Sequence, residues 1–241
     1  MKERPIIFSA PMVRAILEGR KWQTRRVIKP QPFLSENMGM IWKGIARWLH
    51  PDGKEQTIKN FYNFLGSSNT ISNGKKKWQF CPFGIHGDRL WVRETWQSLA
   101  VHEHLSPANI PIGSDVQYPA TYDGWISKHR PSIHMPRWAS RITLEIADIR
   151  VEQLQDISEE DAIAEGAQYF QDIPIEGCNY NPPRWSMKKP ISTMYCLSSA
   201  RMAFANFINE LHGGKNWNLK SHSLWDDNPW VWVIEFKRVV L

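Results

Sequence analysis

Cysteine is scarce in this chain of 241 residues: Cys81, Cys178 and Cys196 are far apart, and none belongs to a C-x-x-C pair. That usage excludes a disulfide framework and a zinc ribbon, and it suits a reducing cytoplasm. Long apolar runs are missing too. No stretch approaches the roughly 18 residues that a membrane span needs, and "MKERPIIFSAP" lacks the apolar centre of a signal peptide. A cytoplasmic protein without membrane contact is therefore expected. The third shortage is local: no acidic residue occurs from Gly19 through Ser35, although the chain holds 24 Asp and Glu against 30 Lys and Arg.

Positive charge fills that acid-free stretch. "GRKWQTRRVI" sets Arg20, Lys21, Arg25 and Arg26 around Thr24, and five of the ten residues from Arg20 to Lys29 are basic. A solvated loop is the ordinary reading of such a run. The alternatives are a phosphate-holding surface and a reactive centre. In the second case, crowded cations lower the proton affinity of Lys21, so that it accepts the proton of the Thr24 hydroxyl. A net charge of +6 favours an anionic partner such as nucleic acid, and thirteen tryptophans supply core filler together with platforms for stacking bases.

Periodicity predicts one domain over residues 1–241 with two insertions, at about 30–80 and 167–197, where apolar spacing is weak. "PIIFS" reads as a strand, after which Ser9 caps a helix over "APMVRAILEG" that Gly19 ends. "GDRLWVRETW", "RITLEIADIRV" and "NPWVWVIEFKRV" alternate as strands. "ISEEDAIAEG" gives a short helix with a capping-box-like Ser158 and Asp161, and "SSARMAFANFINELHGG" a longer one. The fold class expected is mainly β with flanking helices (α+β), the strands closing into a small barrel that removes exposed edges.

Several other clusters carry weaker signals. In "HEH", His102 and His104 would share one side of a strand, but no third ligand accompanies them, so no metal is expected. In "HMPRWASR", Arg137, Trp138 and Arg141 mix cations with an indole, as a base-stacking edge does; a buried Trp flanked by surface Arg is the plainer reading. "GKKKWQ" reads as a solvated loop tip.

The motif "GRKWQTRR" resembles the signature of the ASCH domain, a relative of the PUA fold. In chain order, "GDRLWVRETW" is similar to that family's Gly-Asp turn and strand, "LQDISEEDAIAEG" to its acidic helix, and "WVWVIEFKRV" to its final strand. "PSIHMPRWASRI" is similar to the ASCH proteins carried by bacteriophages and prophages. The resemblance implies a PUA-like barrel and the chemistry of small amidohydrolases that remove the acetyl group of N4-acetylcytidine. It places their catalytic Lys, Thr and Glu on Lys21, Thr24 and Glu165. Thr24 would attack the amide carbonyl, Lys21 accept its proton, and Glu165 serve the leaving amine. Arg26 would stabilise the oxyanion, with Arg20, Arg25, Arg137 and Trp138 as further substrate contacts. No cofactor is implied. Trp22 departs from the small or polar residue usual at that position. The expected partner is a nucleoside or single-stranded RNA, and the alternatives are an RNA-binding module without catalysis or a ribonuclease acting on single-stranded RNA.

Overall fold

Two long runs of alternating residues make the spine of the molecule. In the computed structural model, which describes residues 1–29, 31, 33–35, 39–42, 45–46, 81–122, 124, 127–171, 184–192, 195–213 and 222–239, Thr143–Gln153 pairs antiparallel with Trp230–Val239 along its whole length. In chain order the elements are β1 (Glu3–Ile7), α1 (Ala10–Leu17), β2 (Gln23–Val27), β3 (Phe33–Ser35), β4 (Gly39–Trp42), β5 (Ile45–Ala46), β6 (Arg89–Arg93), β7 (Gln97–Ser98), β8 (Val116–Gln117) and β9 (Thr143–Gln153). There follow α2 (Glu159–Ala164), β10 (Gln168–Tyr169), β11 (Trp185–Ser186), α3 (Ala200–Gly213), α4 (Leu224–Asp227) and β12 (Trp230–Val239).

The architecture is mixed α/β, built on a five-stranded sheet of order β1-β6-β9-β12-β2. Only the β1–β6 pair is parallel. Asp88 fixes that pair. Its carboxylate accepts from the Lys2 amide and from Arg4 Nη1, both at 2.8 Å, at the turn where Gly87 adopts φ +81°.

The expected closed barrel is not formed among the described residues. The edge strands β1 and β2 share no backbone ladder, because five-residue β2 spans only the Val231–Glu235 half of β12. What joins them is a single side chain: Arg26 Nη2 donates to the Ile7 carbonyl at 2.6 Å. The described parts of the two insertions stay out of this sheet. β3, β4 and β5 form a separate small sheet, and β10 pairs with β11.

Both faces of β12 are covered, which is why its sequence is apolar on each side. Trp232, Ile234 and Phe236 pack with Ile6, Phe8, Val13, Ile16 and Leu90 in one core, against which α1 lies. Val231 and Val233 pack on the other face with Ala162 of α2 and Phe204 and Ile208 of α3.

One residue in β9 decides what faces where. Glu235 pairs with Asp148 and Phe236 with Ile146, so Ala147 is an extra residue, a β-bulge that reverses the alternation. Leu144 and Ile146 before it, and Ile149 and Val151 after it, thereby all reach the same core. Arg150 and Glu152 turn to the α2 side.

A third cluster, Trp96, Ile110, Met135 and Ala139, organises residues 96–139. Arg130 ties this region together, donating to the Ser98 hydroxyl and to the carbonyls of His102, Glu103 and Leu105. "HEH" lies in a 3-10 turn starting at Ala100 and in the residues after it, which corrects the strand geometry expected for His102 and His104. "GKKKWQ" and Cys178 lie outside the described residues.

Candidate functional site

The middle of the basic stretch, Gln23–Val27, is strand β2, and Lys21, Gln23, Thr24 and Arg25 are buried, which corrects its reading as a solvated loop. α1 ends at Gly19, whose φ of +74° turns the chain back so that the amides of Arg20 and Lys21 both donate to the Ala15 carbonyl. Trp22 is then clamped by its backbone. Its amide donates to the Ala164 carbonyl at the end of α2, and its own carbonyl accepts from the Phe236 amide. The Trp22 indole remains 47% exposed. From Gln23 on, cross-strand partners set the faces. Thr24 and Arg26 oppose Ile234 and Trp232 of the first core, whereas Arg25 opposes Val233 of the second.

Lys21 and Glu165 meet inside the protein. Lys21 Nζ donates to Glu165 Oε2 at 2.6 Å, to the Glu165 carbonyl at 2.8 Å and to the Gln23 carbonyl at 2.7 Å. Both side chains are enclosed, and Thr24, directly after Gln23, is only 1% exposed. Glu165 follows the last turn of α2, and Gly166, at φ +111°, reverses the chain immediately behind it. The Lys21 pKa is lowered, first by burial; Arg26 and Arg25 add smaller downward pushes, and Glu165 opposes them. Desolvation, rather than the mutual repulsion of cations expected from the sequence, is the main cause.

The two arginines of β2 have opposite surroundings. Arg25 is committed to three carboxylates: its Nη2 lies 2.7 Å from Asp161 and 3.1 Å from Glu152, and its Nη1 lies 3.4 Å from Glu165 Oε1. The guanidinium is fully enclosed, so Arg25 is an internal counter-ion. Arg150 completes the network, contacting Asp161 at 3.2 Å, Gln23 Oε1 at 3.2 Å, and Glu152 and Glu235. Burial alone would raise the Asp161 carboxyl, but the Arg25 and Arg150 guanidinium groups outweigh it and hold its pKa below the usual value.

Arg26 has no carboxylate partner among the described residues. Beyond the Ile7 carbonyl it has aromatic faces: its guanidinium carbon lies 4.9 Å from the Phe8 ring centre and 6.0 Å from that of Phe83. Its Nε is buried without an acceptor. Burial pushes its pKa down to about 10, against the pull of Glu165. A guanidinium held in this way lacks an anion.

The remaining predicted residues divide. Arg20 stays beside the pair, donating to the Gly166 carbonyl at 3.1 Å and pairing with Glu18. Arg137 and Trp138 sit elsewhere. Arg137 pairs with Glu3 at 3.0 Å, four residues along β1 from the Ile7 carbonyl that holds Arg26, about 13 Å in an extended strand. Trp138 packs edge-on against Trp96 with ring centres 6.3 Å apart. Arg141 forks onto Glu94 at 2.9 and 3.0 Å and stacks on Tyr118.

Sequence reasoning missed Arg150, Glu152 and the charge role of Asp161. The signal for Asp161 was its position four residues before Glu165, on the same helix face. Only half of the expected capping box forms: the Asp161 amide donates to Ser158 Oγ, while the Asp161 carboxylate goes to the arginines. Among the described residues, no three or more His, Cys, Asp or Glu are placed to share a metal, and no helix is long and apolar enough to cross a membrane. No family model, curated protein or solved structure matches the chain.

Proposed function

We propose that the chain is an ASCH-type protein of PUA-like architecture that hydrolyses an acylated cytidine through Lys21, Thr24 and Glu165. The observation that carries this reading is the enclosed 2.6 Å contact between Lys21 Nζ and Glu165 Oε2, made across 144 positions of sequence, with Lys21 Nζ also bonded to the carbonyl of Gln23, the residue before Thr24. The link from Arg26 to Ile7, which brings the sheet edges within one side chain of each other, supports the PUA-like closure.

Two of the three Lys21 protons face backbone carbonyls, which cannot take them. The third lies between two ionisable groups. Burial lowers the Lys21 pKa and so favours loss of its proton, against the pull of Glu165. Lys21, once neutral, is the amine base, and the proton it takes from Thr24 passes across the 2.6 Å contact to Glu165. Thr24 Oγ1 then attacks the amide carbonyl, Lys21 takes the hydroxyl proton, the C–N4 bond breaks, and Glu165 gives its proton to the leaving N4 amine. Water attacking the resulting Thr24 ester releases the acid and restores the hydroxyl. Arg26, lacking an anion, suits the developing oxyanion.

The test is release of acetate from N4-acetylcytidine by the purified protein, with Thr24→Ala alongside. Turnover in the wild type and none in the variant is expected. Equal turnover in both overturns the role of Thr24, and none in either, with the cytidine free or within RNA, overturns hydrolysis. Binding without turnover is the second reading, favoured by the saturation of Lys21, whose three N–H groups all have acceptors. It predicts that Thr24→Ala retains ligand affinity and that the wild type releases no acetate.

A further inference from the structure

Behind the Lys21–Glu165 pair lies a groove of about 330 Å³ that the reaction above does not use, lined by Arg14, Arg20, Gly166, Phe170, Lys188 and Lys189 among others. Its size falls within the range of ligand sites. Four cations line it against one carboxylate, Glu18, which pairs with Arg20; outside the lining, Glu210 pairs with Lys188. A positive excess remains. Arg14 is exposed and anchored by one bond to the Ala120 carbonyl, and Lys189 is exposed at the rim.

The groove adjoins the reactive pair through the backbone. Arg20 immediately precedes Lys21, and Gly166 immediately follows Glu165. A Cβ at Gly166 would come within 3.7 Å of the Lys21 Cβ, so the groove floor rests on the lysine stem. On the far side, the chain that carries Lys188 lines a smaller cavity with Tyr195, whose ring is 63% exposed. Cations interspersed with aromatic faces are what a single strand requires: phosphates meet the charges and unstacked bases meet the rings. A free nucleoside carries no charge to match this groove, whereas a polynucleotide brings one negative charge per residue.

We infer that the groove holds the sugar–phosphate chain of a single-stranded RNA whose acylated cytidine enters at Thr24, so that the substrate is a polymer. The inference rests on the nucleoside-directed reading above and specifies its substrate. Lys188 and Lys189 contact phosphates.

The probe is a fluorescein-labelled oligocytidine 12-mer, its binding followed by anisotropy from low to physiological salt. Each phosphate contact on a single strand contributes about 0.7 to the slope of log affinity against log salt. Lys188→Gln/Lys189→Gln is therefore expected to flatten the slope by about 1.4 and to weaken binding roughly tenfold at low salt. The exposed pair Lys128→Gln/Lys237→Gln, outside the groove, should leave both unchanged. Equal losses in the two double variants would show diffuse attraction and overturn the groove, as would absence of RNA binding by the wild type. Acetate release, from the free nucleoside and from the same 12-mer carrying one N4-acetylcytidine, separates the two proposals. Turnover without RNA binding sinks the groove alone, and groove-dependent RNA binding without turnover sinks the hydrolase alone.

Discussion

The ammonium of Lys21 lies 2.6 Å from the carboxylate of Glu165, and both are closed off from solvent. One group comes from the turn before β2 and the other from the end of α2, so the pair fastens the helix to the sheet as well as forming the proposed reactive centre. Alanine at either position should therefore disturb the fold along with the chemistry. Conservative replacements are the better probes.

Breaking this pair on one side leaves an uncompensated buried charge. Lys21→Met and Glu165→Gln should each lose about 3–5 kcal/mol of stability in urea denaturation, and the double variant less than the sum. Additive losses would show that the two groups do not depend on each other.

The adjacent arginines should respond in opposite ways. Arg25→Gln strands Glu152, Asp161 and Glu165 without their common cation, and should destabilise by several kcal/mol. Arg26→Gln removes a cation that no described carboxylate needs, so it should cost the bond to Ile7 but less than Arg25→Gln, and act on ligand affinity. Paired thermal melts and binding curves check this. Comparable melting temperatures for the two variants would contradict it.

Asp161 makes stability sensitive to acid. Its folded pKa is depressed below the ordinary 3.8, so the unfolded state binds more protons and stability decreases as the pH is lowered. The contribution is complete above about pH 4 and is lost as the pH drops through the folded value. Asp161→Asn should shrink the difference in denaturation midpoint between pH 6 and pH 3; an unchanged difference would place the acid sensitivity elsewhere.

Gly166 permits no side chain. At φ +111° an added Cβ is strained, and it would stand 3.2 Å from the Ala15 Cβ. Gly166→Ala should cost about 1–3 kcal/mol, measured as a lower melting temperature, and should shift Glu165 relative to Lys21. A melting temperature equal to wild type would show that the turn relaxes freely.

Most of the sheet was legible because its strands alternate: β6, β9 and β12 were read as strands, as were the helices of Ala10–Leu17 and Glu159–Ala164. β2 was not. "QTRRV" places a cation on each face and looks like solvated chain, because the carboxylates that neutralise Arg25 lie more than a hundred positions away. The part of Arg150 was hidden by Ala147, since a bulge leaves no pattern in a single sequence and every residue after it changes face. Lys21 and Glu165 were named together only through the resemblance; neither spacing nor charge links residues so far apart.

The edges of the sheet are bridged by Arg26, a cation without a carboxylate partner among the described residues. Arg26 reaches across from β2 to the Ile7 carbonyl of β1 where no ladder runs. An anion that drew the guanidinium away from that carbonyl would remove the one described side-chain bond between these two edges. By reciprocity, whatever parts the strands frees the guanidinium for the anion by the same factor.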